Sequence, residues 1–224
     1  MGLKNNQKKK PFLVTDRDLE LLKFINTFGF CERPHLEKKF DLTPQRFRDC
    51  MKRLKGEELV IEEALFHKRP KIYRLTQKGA RYTDLPPLSK VPLALYHHEM
   101  TVVDVALILM SHHKDALWRS ERYLKREKRE ALDKWHVADG LLIFSDGRRI
   151  AIEVELTLKD PRRLKEIFKK YALEFEITEV WYFCAPLLLR PLQKAAESMP
   201  FISFFDLTTT LGKKNCDDTK TYLS

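Results

Sequence analysis

Ten residues in the second half of the chain, Ile150-Ala-Ile-Glu-Val-Glu-Leu-Thr-Leu-Lys159, alternate without a break. Ile150, Ile152, Val154, Leu156 and Leu158 are apolar at every second place, with Ala151, Glu153, Glu155, Thr157 and Lys159 between them. A period of two belongs to a strand, so the first set enters a core and the second shares the opposite face. Glu153 and Glu155 then have α carbons about 7 Å apart, close enough for their carboxylates to converge. Upstream, Ser145-Asp-Gly-Arg148 carries the Asp-Gly signal of a tight hairpin. Its other arm is a strand around His136–Phe144, which brings Asp139 toward the two glutamates. Gly140 beside it marks a kink or bulge that re-aims side chains.

The flanking segments complete an α/β pattern. Met100–Met110 is a strongly apolar helix suited to packing on a sheet, and Leu117–Glu121 reads as a strand. A highly charged excursion, 122–134, separates that strand from the hairpin. Asp160 and Pro161 are the cap and first residue of a helix whose buried stripe is Leu164, Ile167, Phe168, Tyr171, Ala172 and Phe175. Tyr171 reads as core, and Arg162 and Arg163 lie outside. Val180–Cys184 is a buried strand, Leu192–Ser198 a short helix and Phe201–Phe205 a last strand; the polar residues from 211 to 224 read as a flexible tail.

The first 84 residues read differently. Thr15 and Asp18 begin a helix with the stripe Leu21, Phe24, Ile25 and Phe28, stopped by Gly29. A short helix covers 34–40. A third starts with Thr43 as cap and Pro44 at its first position, and buries Phe47, Cys50, Met51 and Leu54. Its other face carries Gln45, Arg46, Arg48, Lys52 and Arg53, suited to phosphates and base edges. Two strand-like runs, 59–61 and 72–75, flank a cationic tip with Lys68, Arg69 and Lys71. Three helices and a basic hairpin form the pattern of a winged helix-turn-helix, expected to bind DNA. Three prolines within 85–92 read as a semi-rigid linker over 85–95, ahead of a second domain at 96–210.

Charge agrees with that division. The chain carries 42 Lys+Arg against 32 Asp+Glu, a net +10. Residues 1–90 hold 21 Lys/Arg against 12 Asp/Glu, a balance of +9, so nearly all the surplus lies beside the proposed reading helix, partly in the basic tail Lys4–Lys10. A concentrated positive field points to a polyanion partner. No uninterrupted apolar run approaches the roughly 20 residues that cross a bilayer, and the N-terminus lacks a secretory pattern, so a cytoplasmic location without membrane attachment is expected. Cys31, Cys50, Cys184 and Cys216 form no C-x-x-C pair, which argues against a zinc knuckle or disulfide framework. P-loop, dinucleotide-binding and serine-hydrolase signatures are absent. His97-His98 and His112-His113 lie one helix length apart, too far to share a metal, and read as helix-end or interface groups; Glu99 is a candidate fourth acid.

The order of elements in 96–210, with an acid in the second strand and Glu-x-Glu in the third, resembles the restriction-endonuclease-like (PD-(D/E)xK) core. It departs from that motif where Glu155 occupies the place of the usual lysine. Lys159 shares the face but lies about 13 Å further along a straight strand. More specifically, Thr15–Glu20, Tyr73-Arg-Leu-Thr-Gln-Lys-Gly79, His97-His98, Trp118-Arg-Ser-Glu121, Ala138-Asp-Gly-Leu141 and Ile152–Lys159 together resemble the replication-relaxation family of bacterial plasmids and mobile elements. That family is similar to MobC-class mobilisation relaxases. The resemblance implies that Asp139, Glu153 and Glu155 form a catalytic trio binding Mg2+ or Mn2+ and nicking one DNA strand at a plasmid origin without a tyrosine nucleophile. Hard divalent ions prefer carboxylate oxygens and activate water at a phosphodiester. The alternative is a site-specific DNA-binding accessory or regulatory protein whose nuclease-like domain is inactive and serves self-association as a homodimer.

Overall fold

The computed structural model describes residues 13–130 and 136–212. The basic tail, Cys216 and the tail beyond 212 lie outside them. The protein is α/β, with two sheets among the described residues.

The first half is built of α1 (Asp16–Phe28), β1 (Phe30–Glu32), α2 (Arg33–Phe40), α3 (Pro44–Gly56), β2 (Val60–Glu63), β3 (Ile72–Leu75) and α4 (Gln77–Ala80). Thr15 and Asp18 form the expected capping box, and Gly29 ends α1 at φ 84°, a conformation open to glycine at little cost. β1, absent from the sequence reading, pairs with β3, giving an antiparallel sheet ordered β1-β3-β2. At three residues it is too short to leave a periodic signal.

The second half contains α5 (Tyr96–His112), β4 (Leu117–Ser120), α6 (Glu121–Glu130), β5 (Gly140–Ile143), β6 (Arg149–Glu155), α7 (Pro161–Leu173), β7 (Glu179–Cys184), α8 (Leu189–Ala195), β8 (Ile202–Asp206) and α9 (Leu207–Leu211). The strands form one mixed sheet in the order β4-β5-β6-β7-β8, antiparallel up to β6 and parallel beyond it. α5 covers one face, over Ile150, Ile152 and Val154. The other face carries Ala151 beneath Leu164, Ile167, Phe168 and Tyr171 of α7. β6 is therefore central and buried on both sides, and its acids face a covering helix instead of solvent.

Several expectations change. The alternating strand stops at Glu155, not Lys159, and its partner begins at Gly140 instead of His136. The charged excursion is largely helical, as α6. Phe175 lies beyond the end of α7 and is 97% exposed, because the chain leaves the helix before the stripe recurs. Gly140 is required by contact, not by a bulge. A Cβ there would stand 2.2 Å from carbons of the Trp118 ring.

A single apolar core runs from Leu21, Phe28 and Phe47 in the first half to Val103, Trp118 and Ile152 in the second. Residues 85–95, read as a linker, lie along this seam with Leu85 and Val91 buried. The Leu85 and Pro86 carbonyls accept from Asn26 and Arg122 (both 2.6 Å). Ser120 Oγ donates across to the Thr27 carbonyl (2.7 Å). By length and composition alone the stretch 93–112 is apolar enough to cross a membrane, with mean hydropathy 1.4, but His97, His98, Glu99 and Asp104 interrupt it and half of that window is buried inside the protein.

Candidate functional site

The acids of β6 and Asp139 gather where β5 ends. Pairing of Gly140 with Ile152 sets Asp139 opposite Glu153, one step beyond the ladder. Past that point the Val154 N–H and carbonyl have no β5 backbone to meet. The N–H donates to Asp139 Oδ2 (2.8 Å), and the carbonyl faces His98 Nε2 of α5 at 3.2 Å. The same ring nitrogen is 3.3 Å from Asp139 Oδ2. Glu153 and Glu155 are each 3% exposed. Glu153 Oε1 accepts from Tyr171 Oη of α7 and meets His136 Nε2 at 2.6 Å. Glu155 Oε2 accepts from Lys159, because the chain bends after β6 and returns the ammonium to the carboxylate. The separation expected of a straight strand therefore does not apply.

Each carboxylate is anchored through one oxygen. Asp139 Oδ1, Glu153 Oε2 and Glu155 Oε1 make no hydrogen bond among the described residues. Beside them, the buried Tyr182 hydroxyl also lacks a hydrogen-bond partner there, with the charges of Glu153, Glu155 and Asp139 around it. Three carboxylates with an orphaned hydroxyl suit a hard cation by donor chemistry. The side chains are not yet closed on one point: among the described residues no three His, Cys, Asp or Glu groups converge at metal-holding distance. Chelation would require side-chain rotation.

Burial dominates the electrostatics. It raises the Glu153 carboxyl pKa, and Asp139 adds to the rise, while the His136 and Tyr171 bonds oppose it. Burial and the neighbouring acids also push the Tyr171 and Tyr182 hydroxyls well up. For His98, burial disfavours the charge, but the bond to Asp139 and the charges of Asp139 and Glu99 prevail and lift it to about 9. Glu99 is pushed up to about 7, first by burial and then by Glu121 and Asp139, against His98 and Lys125. The native state thus holds the Glu99 proton more tightly than the unfolded chain does. Its contribution to stability is fully present below about pH 4.5 and is lost as pH rises toward 7. Glu99→Gln is expected to raise the free energy of urea unfolding at pH 8 and to leave it unchanged near pH 4.5.

The basic surface is placed unevenly. Gln45, Arg46, Arg48 and Lys52 are exposed on α3, where Gln45 Nε2 donates to Asp49 Oδ1 (2.9 Å) and Arg48 to Gln45 Oε1 (2.6 Å). Arg53 instead pairs with Asp18, which is fully buried, so it ties α3 to α1. Lys68 is exposed at the hairpin tip at φ 59°. Lys71 stands 3.5 Å from Glu62. Arg69 is half-buried and lines a cleft with Lys38 and His97, between α2 and α5. Arg162 and Arg163 are exposed at the start of α7, their N–H groups capped by Asp160 (2.9 and 3.3 Å).

Sequence reasoning missed His98, His136, Lys159, Tyr171 and Tyr182 as members of the acidic cluster. Tyr171 did carry a signal, a polar tip on a buried stripe, which requires a partner in the core. Tyr182 depends on the parallel register of β7 beside β6, and the other three on where loops and a helix fold back. Comparison with protein-family models, curated proteins and solved structures finds no match to this chain.

Proposed function

We propose that the protein binds DNA through its first half and nicks one strand at a divalent-metal centre in its second, in the manner of the replication-relaxation and MobC-class proteins that its sequence resembles. The observation that carries this reading is the arrangement of the three acids. Each is held by the protein through one oxygen, and among the described residues the other oxygen makes no hydrogen bond, at the end of the central strand. Asp139, Glu153 and Glu155 are the residues that would hold Mg2+ or Mn2+. Bound there, the ion would supply Lewis-acid polarisation of a phosphoryl oxygen and a more acidic water.

The remaining roles belong to the chain. His136 and Tyr171 fix the Glu153 carboxylate, as hydrogen-bonded outer groups commonly do for ligands. Lys159 neutralises Glu155 and, from its partly exposed position, stands where a scissile phosphate could meet it. Tyr171 is buried and donates to Glu153, so it is poorly disposed to act as a nucleophile. Support for DNA binding comes from three helices followed by a hairpin, and from the exposed Arg46, Arg48, Lys52 and Lys68. The order of a helix, three antiparallel strands, a helix, a strand, a helix and a strand, with α6 inserted, supports the nuclease-like assignment.

Supercoiled plasmid carrying the cognate origin is expected to relax with the purified protein and Mn2+ or Mg2+, and to remain supercoiled with chelator. The second reading is a site-specific accessory protein with a silent second half. It is favoured by the protein counter-group already bonded to each acid and by the lack of a converged trio among the described residues. It predicts a footprint at a defined site with no strand break under any metal.

A further inference from the structure

The contact between α5 and Asp139 closes a gap in the sheet. β5 pairs with β6 only as far as Gly140–Ile152, so Val154 lies two ladder positions beyond the end of its neighbour. In a continued strand, one backbone carbonyl would accept from Val154 N–H and one N–H would donate to its carbonyl. Asp139 Oδ2 takes the accepting role at 2.8 Å, and His98 Nε2 lies at donating distance, 3.2 Å from the carbonyl. The two substitutes meet at 3.3 Å. Donation to a carbonyl requires the hydrogen on Nε2. One ring nitrogen thus faces both the strand and the acid.

The helix that carries His98 is firmly seated. Two residues earlier in the same turn, Tyr96 donates to Glu32, stacks on Phe30 at 5.8 Å and meets the Phe66 ring edge-on at 4.8 Å. These contacts are with the first half, so the imidazole is positioned by the seam between the two halves.

We propose that His98 is a positioning residue for the acidic centre: it holds Asp139 Oδ2 against the end of β6, so that the remaining oxygen, Oδ1, is presented beside Glu153 and Glu155. The inference rests on the functional reading above, since that reading gives the presented oxygen its purpose. Outer-shell partners of this kind alter metal affinity by about 10–100-fold. An ordinary strut between helix and sheet would alter stability and nothing else.

Two variants of the full chain separate these roles. His98→Met fills the space without a donor, and His98→Gln restores an N–H at similar reach. With the Met variant still folded by circular dichroism, the Val154 amide is expected to exchange with solvent about ten-fold faster, as Asp139 is released. Mn2+ affinity, measured by calorimetry without DNA, is expected to fall about ten-fold or more. His98→Gln should return both toward wild type. Unchanged Val154 exchange and Mn2+ affinity in His98→Met would overturn the proposal, as would failure of Gln to restore what Met loses. If the wild-type protein itself neither binds Mn2+ nor nicks DNA, the functional reading falls; Val154 exchange in the Met and Gln variants then decides separately whether His98 holds Asp139.

Discussion

In the Glu153→Gln variant, nicking is expected to fall by at least about 100-fold while the protein melts higher than wild type. The two effects share one cause. Glu153 sits beneath α7, 3% exposed, and burial raises its pKa despite bonds from His136 and Tyr171. An acid whose folded pKa lies above its unfolded value contributes most to stability when protonated. That contribution is lost as pH climbs above the ordinary carboxylate range. Holding the ionised carboxylate there therefore carries a cost in stability, as is common at functional sites. Glutamine removes the charge but leaves an amide oxygen to accept from Tyr171, so the fold keeps its contacts. A gain of about 1 kcal/mol, or about 2–4 °C in melting temperature, is expected by calorimetry. Plasmid relaxation provides the other half of the test. Retained nicking would remove Glu153 from the centre, and a lower melting temperature would make it a structural residue.

Gly140→Ala is expected to destabilise the protein by about 3 kcal/mol, seen as a drop of about 6–12 °C in the thermal midpoint. The added methyl would stand 2.2 Å from two carbons of the Trp118 ring, far inside contact distance. The indole cannot yield easily. It is buried in the core shared by both halves, against the Phe28 ring at 6.3 Å. Because Asp139 precedes this residue, the shift should also disturb the bond from Val154 N–H. Trp118→Phe in the Gly140→Ala background is expected to recover part of the loss, by making room where the six-membered ring of the indole now lies. Without such recovery, the close approach is not the cause. Substitution of Arg53 also needs a stability control. Its partner Asp18 is fully buried, so loss of DNA binding in Arg53→Ala would arise from weakened packing of α3 on α1.

Much of the architecture was legible from local chemistry. Thr15, Thr43 and Asp160 each cap the helix they were expected to start, because a short oxygen-bearing side chain can accept from its first turn. The alternation from Ile150 to Glu155 identified the central strand and placed both glutamates on one face. Periodicity, however, describes a segment and not its neighbours. It did not register the three-residue β1. It also extended β6 to Lys159, since Leu156–Lys159 continues the pattern after the ladder has ended. Phe175 shows the same limit at the end of α7.

By itself, the sequence determined the helix caps, the order of the main elements, the segregation of positive charge into the first 90 residues and the pairing of acids along one strand. Those properties depend on residues only a few positions apart. The tertiary structure decided that the halves share one core, that the acids lie under a helix, and that Lys159, His136 and His98 supply their counter-groups. These outcomes depend on where a bend, a loop and a distant helix return the chain. Nothing in local spacing encodes a meeting between residues as far apart as 98 and 139; the packing of apolar faces brings it about.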